Sequence, residues 1–173
     1  LKSESSEQRL EGELTEEALV NALIRLGSKT EHQICTVTGH GEMLPDGPHL
    51  SAVATQLQRQ NYAISTTNLM ALGGVPAECE VLLIADPEEE WLAPEREMMA
   101  AYVAGGGQVI MLLNPERTHG LAADMARYGI VMARDIVLEA NPNLKIMGGD
   151  ASFLVLPAEA MADHPITAPI RSM

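Results

Sequence analysis

Basic residues, aromatic residues and long apolar runs are all scarce in this sequence. Eleven Lys and Arg stand against 24 Asp and Glu, which gives a formal charge of −13. Nucleic-acid binding depends on Lys and Arg that neutralise phosphates, and anionic lipid surfaces attract the same side chains. Because no basic cluster occurs, we expect neither nucleic acid nor a polybasic membrane contact as a partner.

A membrane helix needs ~20 consecutive apolar residues, and no run here approaches that length. The longest candidate, MMAAYVAGGGQVIMLL, is interrupted by Gly105, Gly106 and Gly107. The sequence also starts without Met, inside a charged stretch. We therefore expect a piece of a longer protein, with any targeting or membrane segment outside it.

Cysteine is nearly absent, with only Cys35 and Cys79, and the two lack the C-x-x-C spacing of redox or metal motifs. Both lie in or beside apolar runs that predict core strands. The sequence predicts that both cysteines are buried, with thiols preferred, and leaves their redox state and the cellular compartment undecided.

What is present is a large aliphatic fraction, since hydrophobic residues make up 46% of the 173 residues and aromatic residues only 3%. This size suits one domain. We predict an acidic linker over residues 1–13 and a single α/β domain over residues 14–173. The first helix is predicted in LTEEALVNALIRLGS, capped by Thr15 and ended by Gly27. Its apolar face, expected to be buried, comprises Leu19, Val20, Leu23, Ile24 and Leu26.

Four apolar runs, at residues 33–38, 62–69, 80–86 and 108–114, predict strands. EVLLIAD and QVIMLLN are almost continuously apolar, which is typical of parallel strands covered on both faces. Helices are predicted at 49–60, 93–107 with Pro94 in its first turn, and 118–129. The last third, with DIVLEANPN, SFLVLP and DHPITAPI, predicts short strands and proline turns. The alternation predicts a three-layer α/β/α sandwich with a mainly parallel sheet, amidotransferase-like or flavodoxin-like.

Polar residues follow these strands at the edge where open α/β sheets bind ligands. We expect binding residues there, but no catalytic residue and no metal ligand. The binding candidates are Gly39, His40, Gly41 and Glu42 after the first strand, Asp86 after the third, Asn114 after the fourth, and His164 from the distant DHP.

Four interpretations compete for the loop TGHGE. A phosphate loop for FMN conflicts with Pro45 and Pro48, which each remove a backbone donor, and with the shortage of aromatic rings to cover a flavin. A hydrolase needs Ser or Cys on a tight turn, and TGHGE, ADPEE and LNPER offer neither. A metal site from His40, Glu42, His49 and His164 lacks a strong ligand spacing.

The fourth interpretation, which we prefer, is a structural turn that shapes a binding surface. The glycines permit the chain reversal, and His40 and Glu42 pin the loop. We expect Gly39 or Gly41 in a conformation that a Cβ disfavours. We also expect His40→Ala to affect partner binding more than folding.

Several stretches in the same order carry a resemblance to one family. They are LTEEALVNALIRL, TGHGE, NYAISTTNL, VPAECEVLLIADPEEEWLAPEREMMAAYVAGGGQVIMLLNP, LAADMARYGIVMARDIVLE and DHPIT. Over residues 14–167 the chain resembles auxiliary components of uncharacterised ABC transport systems. That group is similar to gliding-motility auxiliary proteins, and its α/β domain resembles those of intraflagellar-transport proteins and class I amidotransferases.

The resemblance implies a non-catalytic, cofactor-free domain on the extracytoplasmic, periplasmic face of the membrane, anchored by helices outside this sequence. Its implied partners are the ABC permease and ATPase of the same system. The acidic EEEW after Pro87 departs from the shorter polar turn of other members, which affects any shared contact at this loop. The alternatives remain an amidotransferase-like hydrolase and an FMN-binding redox module.

Overall fold

Strands and helices alternate along the part of the chain that the computed structural model describes, residues 19–20, 23, 32–135, 137–138, 156 and 158–171. The strands are β1 (His32–Val37), β2 (Tyr62–Thr67), β3 (Val81–Ala85) and β4 (Gln108–Leu112). The helices are α1 (Ser51–Arg59), α2 (Leu69–Leu72), α3 (Ala93–Ala104), α4 (Leu121–Ala126) and α5 (Ala168–Arg171), with a 3-10 turn at Ala158–Ala160.

The four strands form one parallel sheet in the order β2-β1-β3-β4. Cys35 lies opposite Ser65 on one side and Leu82 on the other, and Leu82 lies opposite Val109. The α/β fold predicted from the sequence is confirmed, and the sheet is consistent with a three-layer α/β/α sandwich. The first strand is interior, which brings the loops after β1 and β3 to the same edge.

One face of the sheet carries the main core. Side chains alternate between the faces of a strand, so Cys35 and Val37 point with Leu82 and Ile84 toward α2 and α3. They pack with Leu69, Trp91, Met99 and Leu121, all at most 2% exposed. With so few aromatic residues in the chain, one Trp and several aliphatic side chains fill this layer.

The opposite face is covered by α1 above β1 and β2. Leu50, Val53, Ala54 and Leu57 from α1 and its first turn surround the same small apolar space as Ile34, Ile64 and Leu83. Leu83 lies opposite Ile110, which is 51% exposed, and Leu112 on the same face is 49% exposed. In the described part of the chain, this face is therefore covered above β1 and β2, while Ile110 and Leu112 of β4 are half exposed.

Cys35 and Cys79 are buried as predicted, but they are joined by a disulfide rather than free. Their Cα atoms lie 5.6 Å apart although 44 residues separate them in sequence. Cys79 stands two residues before β3, and β1 pairs with β3. The parallel pairing brings the two side chains together, which no local cysteine spacing indicates.

Three further differences concern helices. Leu69–Leu72 forms α2, capped by the Asn68 side chain, whereas the predicted strand runs to Leu69 and no helix is predicted after it. Leu19, Val20 and Leu23 are helical as predicted, but they are 56%, 45% and 61% exposed rather than buried. The rest of that predicted helix lies outside the described residues. DHPITAPI forms a turn, in keeping with the predicted proline turns, and then α5, a helix that the sequence does not predict.

Contacts divide the chain into two compact units, residues 1–132 and 133–173. The first unit contains the sheet, and the second contains the 3-10 turn and α5. The predicted linker at 1–13, and most of the strands predicted in DIVLEANPN and SFLVLP, fall outside the described residues. The single domain over 14–173 stays a prediction.

Candidate functional site at the carboxyl edge of the sheet

Backbone hydrogen bonds bring the loops after β1, β3 and β4 together. Met43 N–H donates to the Ala85 carbonyl at 2.8 Å, and Asp86 N–H donates to the Leu112 carbonyl at 2.7 Å. The His40 carbonyl accepts from the N–H groups of Glu88 and Glu89 at 2.7 and 3.0 Å. The loop after β1 is thereby fixed to the loop after β3.

Both glycines of TGHGE adopt positive φ, as the sequence predicts for at least one of them. Gly39 has φ 137° and Gly41 has φ 74°. A Cβ at Gly39 would lie 2.9 Å from the Asn68 side chain, and one at Gly41 would lie 3.0 Å from the Glu88 Cβ. The loop therefore needs glycine both for its backbone conformation and for its close contacts.

His40 lies between two buried carboxylates. Its Nδ1 is 3.3 Å from Glu42 Oε1, and its Nε2 is 2.9 Å from Glu95 Oε2. The side chains of His40, Glu42 and Glu95 are 9%, 0% and 2% exposed. A neutral imidazole donates from one nitrogen only, so the ring donates to both carboxylates when both nitrogens carry protons. The three side chains are called the His40 cluster below.

Backbone groups complete the His40 cluster. Glu42 Oε2 accepts from the His40 N–H at 2.8 Å, and Glu95 Oε2 accepts from the Leu92 N–H at 3.0 Å at the start of α3. The His40 ring stacks on Trp91, with centroids 5.5 Å apart and planes at 29°. The cluster thus joins the loop after β1 to the loop and helix that follow β3.

Glu95 and Trp91 contact His40, and the sequence prediction missed both. Glu95 reads as an ordinary acidic residue in a first helical turn, which the helix dipole alone would explain. Trp91 is the only tryptophan in the chain and follows the acidic run EEE. The lone Trp is the signal that could have found them, because it lies between a strand that ends at this sheet edge and the helix that follows it.

Asp86 forms an ion pair at this edge that is more exposed than the His40 cluster. Arg117 Nη2 donates to Asp86 Oδ2 at 3.2 Å, with the side chains 46% and 18% exposed. Asp86 has φ 43°, and its Oδ1 is buried without a hydrogen-bond partner. The Asn114 side chain instead accepts from the Glu116 N–H at 3.0 Å and closes its own turn.

A shallow pocket of about 350 Å³ opens beside the His40 cluster. It is lined by residues 41–44 and 46–49 together with Asp86 and Glu88, and so brings together three of the predicted candidates, Gly41, Glu42 and Asp86. Neither His40 nor Asn114 lines the pocket. The exposed acids Asp46 and Glu88 give its rim a negative charge.

His164 is an exposed residue of the second unit, where its Nδ1 accepts from the Ile166 N–H at 3.2 Å. Within the described residues, no group of three or more His, Cys, Asp or Glu side chains is arranged to hold a metal ion. The same part of the chain contains no helix with the length and apolarity needed to cross a membrane.

These features define an α/β domain of the open, parallel-sheet class with its candidate site at the carboxyl edge. The chain belongs to the family described as an ABC-type uncharacterized transport system, whose model for the auxiliary component matches residues 31–173. No curated protein and no solved structure matches it significantly.

Proposed function

We propose that this chain is a non-catalytic binding and assembly domain of the auxiliary component, and that it contacts the permease and ATPase subunits of the same transport system. The family supports a role in an ABC-type transport system. The observation that carries the non-catalytic part is the double engagement of the His40 ring by Glu42 and Glu95.

A histidine that acts as general base keeps one ring nitrogen for the orienting partner and presents the other to the reacting group. In the His40 cluster both nitrogens face carboxylates of the protein, and Trp91 covers one face of the ring. This arrangement supports a role in holding the loop rather than in proton transfer.

The alternative functions gain less support. An amidotransferase-like hydrolase needs a nucleophile, and both cysteines of the chain are taken up in the buried disulfide. An FMN phosphate is typically held where a loop leads directly into a helix N-terminus. Here α1 begins only at Ser51, ten residues beyond Gly41, and its cap residue Leu50 offers no side-chain hydrogen bond.

We propose that the partner surface includes the pocket beside the His40 cluster. The rigid loop gives this surface a defined shape, and Asp46 and Glu88 favour a partner that presents Lys or Arg. The relation to gliding-motility proteins stays a prediction.

An extracytoplasmic location is part of the same proposal. Disulfides persist in oxidising compartments and are rare in the cytosol. The buried Cys35–Cys79 bridge supports folding outside the cytoplasm. Protein isolated from its native host under non-reducing, alkylating conditions should therefore carry no free thiol after unfolding. Two alkylated cysteines per chain would argue against this location.

The partner surface can be tested by co-purification of the full-length auxiliary protein with its permease and ATPase. Asp46→Lys should lower recovery of the permease roughly tenfold, because like charges at an interface oppose association. Glu97→Lys, an equal charge reversal at an exposed position on α3, is the matched control. Equal recovery with both variants would reject the pocket as the contact. Failure of the parent protein to recover either subunit would reject the assembly role.

A further inference from the structure

Among the described residues of the first unit, exposed apolar side chains include one set on a strand and one set on a helix. One is the strip of β4 formed by Ile110 and Leu112, which are 51% and 49% exposed. The other is the helical stripe of Leu19, Val20 and Leu23, which are 45–61% exposed. Parallel strands are ordinarily covered on both faces. We propose that residues 14–27, which the sequence predicts as an amphipathic helix, dock onto this β4 strip beside α1 and cover the second face of the sheet.

The register of the sheet identifies the surface to be covered. Leu83 of β3 lies opposite Ile110 of β4, so the two side chains share a face. Leu83 lies against α1, which places α1 next to the open strip. The side chains of Val109 and Met111 point to the other face and pack against the core. A helix laid beside α1 above β4 therefore meets Ile110 and Leu112.

Chain length limits where the helix can go. Four residues, 28–31, separate its predicted end at Gly27 from the first residue of β1, His32. Extended, such a connection reaches ~14 Å. Two strand spacings from β1 to β4 amount to ~10 Å. The connection is long enough to place the helix end above the amino end of β4 and too short for distant surfaces.

The spacing of the apolar residues also fits. A helix that returns from Gly27 places Leu23 ~6 Å and Leu19 ~12 Å along its axis. From Gln108, Ile110 and Leu112 lie ~7 and ~13 Å along β4. Leu23 is then level with Ile110, and Leu19 with Leu112. The spacing of Leu19 and Leu23 along the helix therefore matches the spacing of Leu112 and Ile110 along β4.

Cross-linking tests this docking in the full-length protein with its native disulfide intact. Leu23→Cys combined with Ile110→Cys should be joined within one chain by a short bismaleimide. Leu23→Cys combined with Leu72→Cys is the control, because Leu72 is 64% exposed on α2, which packs on the opposite face. Cross-links between chains would overturn the proposal in favour of exchange with a second copy. No preference for Ile110 over Leu72 would also overturn it.

Amide hydrogen exchange gives a readout that needs no added cysteine. Leu112→Ser should speed exchange of peptides from residues 14–27 about tenfold, since it removes an apolar contact of the docked helix. Leu72→Ser, at an exposed position of the other face, should leave the same peptides unchanged. The docking is contradicted if peptides from residues 14–27 exchange at the same rate in the parent and in Leu112→Ser while peptides of β3 are unaffected. The result is independent of whether the domain binds a permease.

Discussion

Two polar contacts at the same sheet edge differ in burial. The His40 cluster is almost closed to solvent, with its three side chains at most 9% exposed. The Asp86–Arg117 pair lies at the same edge, but the Arg117 side chain is 46% exposed. Both pairs join loops that follow different strands. Comparing the two separates the contribution of burial to stability from the contribution of charge.

A buried charged group without a partner destabilises the fold, because the low-dielectric interior does not solvate it. Removing one partner of a buried pair leaves the other charge uncompensated, whereas an exposed partner is solvated by water. The His40 cluster should therefore behave as part of the folding unit. The Asp86–Arg117 pair should contribute little to stability and remain available at the surface.

The largest effect is expected for His40→Ala. The substitution leaves Glu42 and Glu95 buried without their shared donor, and we expect a loss of ~3–5 kcal/mol in the free energy of unfolding. Urea denaturation of the two proteins measures it. His49→Ala, on the same loop but exposed, should change stability by less than ~0.5 kcal/mol.

This expectation revises the one from sequence, in which His40 matters more for binding than for folding. A His40→Ala variant as stable as the parent would mean that the cluster does not hold the fold. In that case the contributions of the His40 cluster and of the Asp86–Arg117 pair to stability would not differ as their burial predicts.

The second effect concerns the loop that carries His40. Gly41→Val should cost ~1–3 kcal/mol, because a β-branched residue at φ 74° is strained and its Cβ meets Glu88 at 3.0 Å. Gly73→Val is the matched control, since Gly73 has φ 72° with nothing within 4 Å of the added Cβ. Thermal melts of both variants separate backbone strain from the contact with Glu88. Equal losses would show that the loop packing against Glu88 contributes nothing.

The sequence predicted what is encoded locally. Continuous apolar runs gave the positions of β3 and β4, and Pro94 gave the start of α3 to within one residue. TGHGE was correctly placed at the carboxyl end of β1. Each of these signals lies within a dozen neighbouring residues.

The sequence could not give contacts that only the folded sheet creates. His40 meets Glu95 because β1 and β3 are neighbours and α3 starts above them, which no spacing in the chain reveals. The Cys35–Cys79 disulfide arises in the same way. That the candidate residues bind a ligand or a partner protein likewise stays a prediction.

The smallest effect is expected for Arg117→Ala. The ion pair to Asp86 spans 3.2 Å, but water reaches its guanidinium, so the loss should stay below ~1 kcal/mol. Raising the salt concentration from 0.1 to 1 M should shrink even this difference, because salt screens exposed charges over a few ångströms. Melts of parent and variant at both salt concentrations measure it, with Arg59→Ala at an exposed position of α1 as a control. A loss as large as that of His40→Ala would mean that Asp86, whose Oδ1 is buried without a partner, depends on Arg117 as Glu42 and Glu95 depend on His40. Burial of the arginine would then no longer explain the difference between the two pairs.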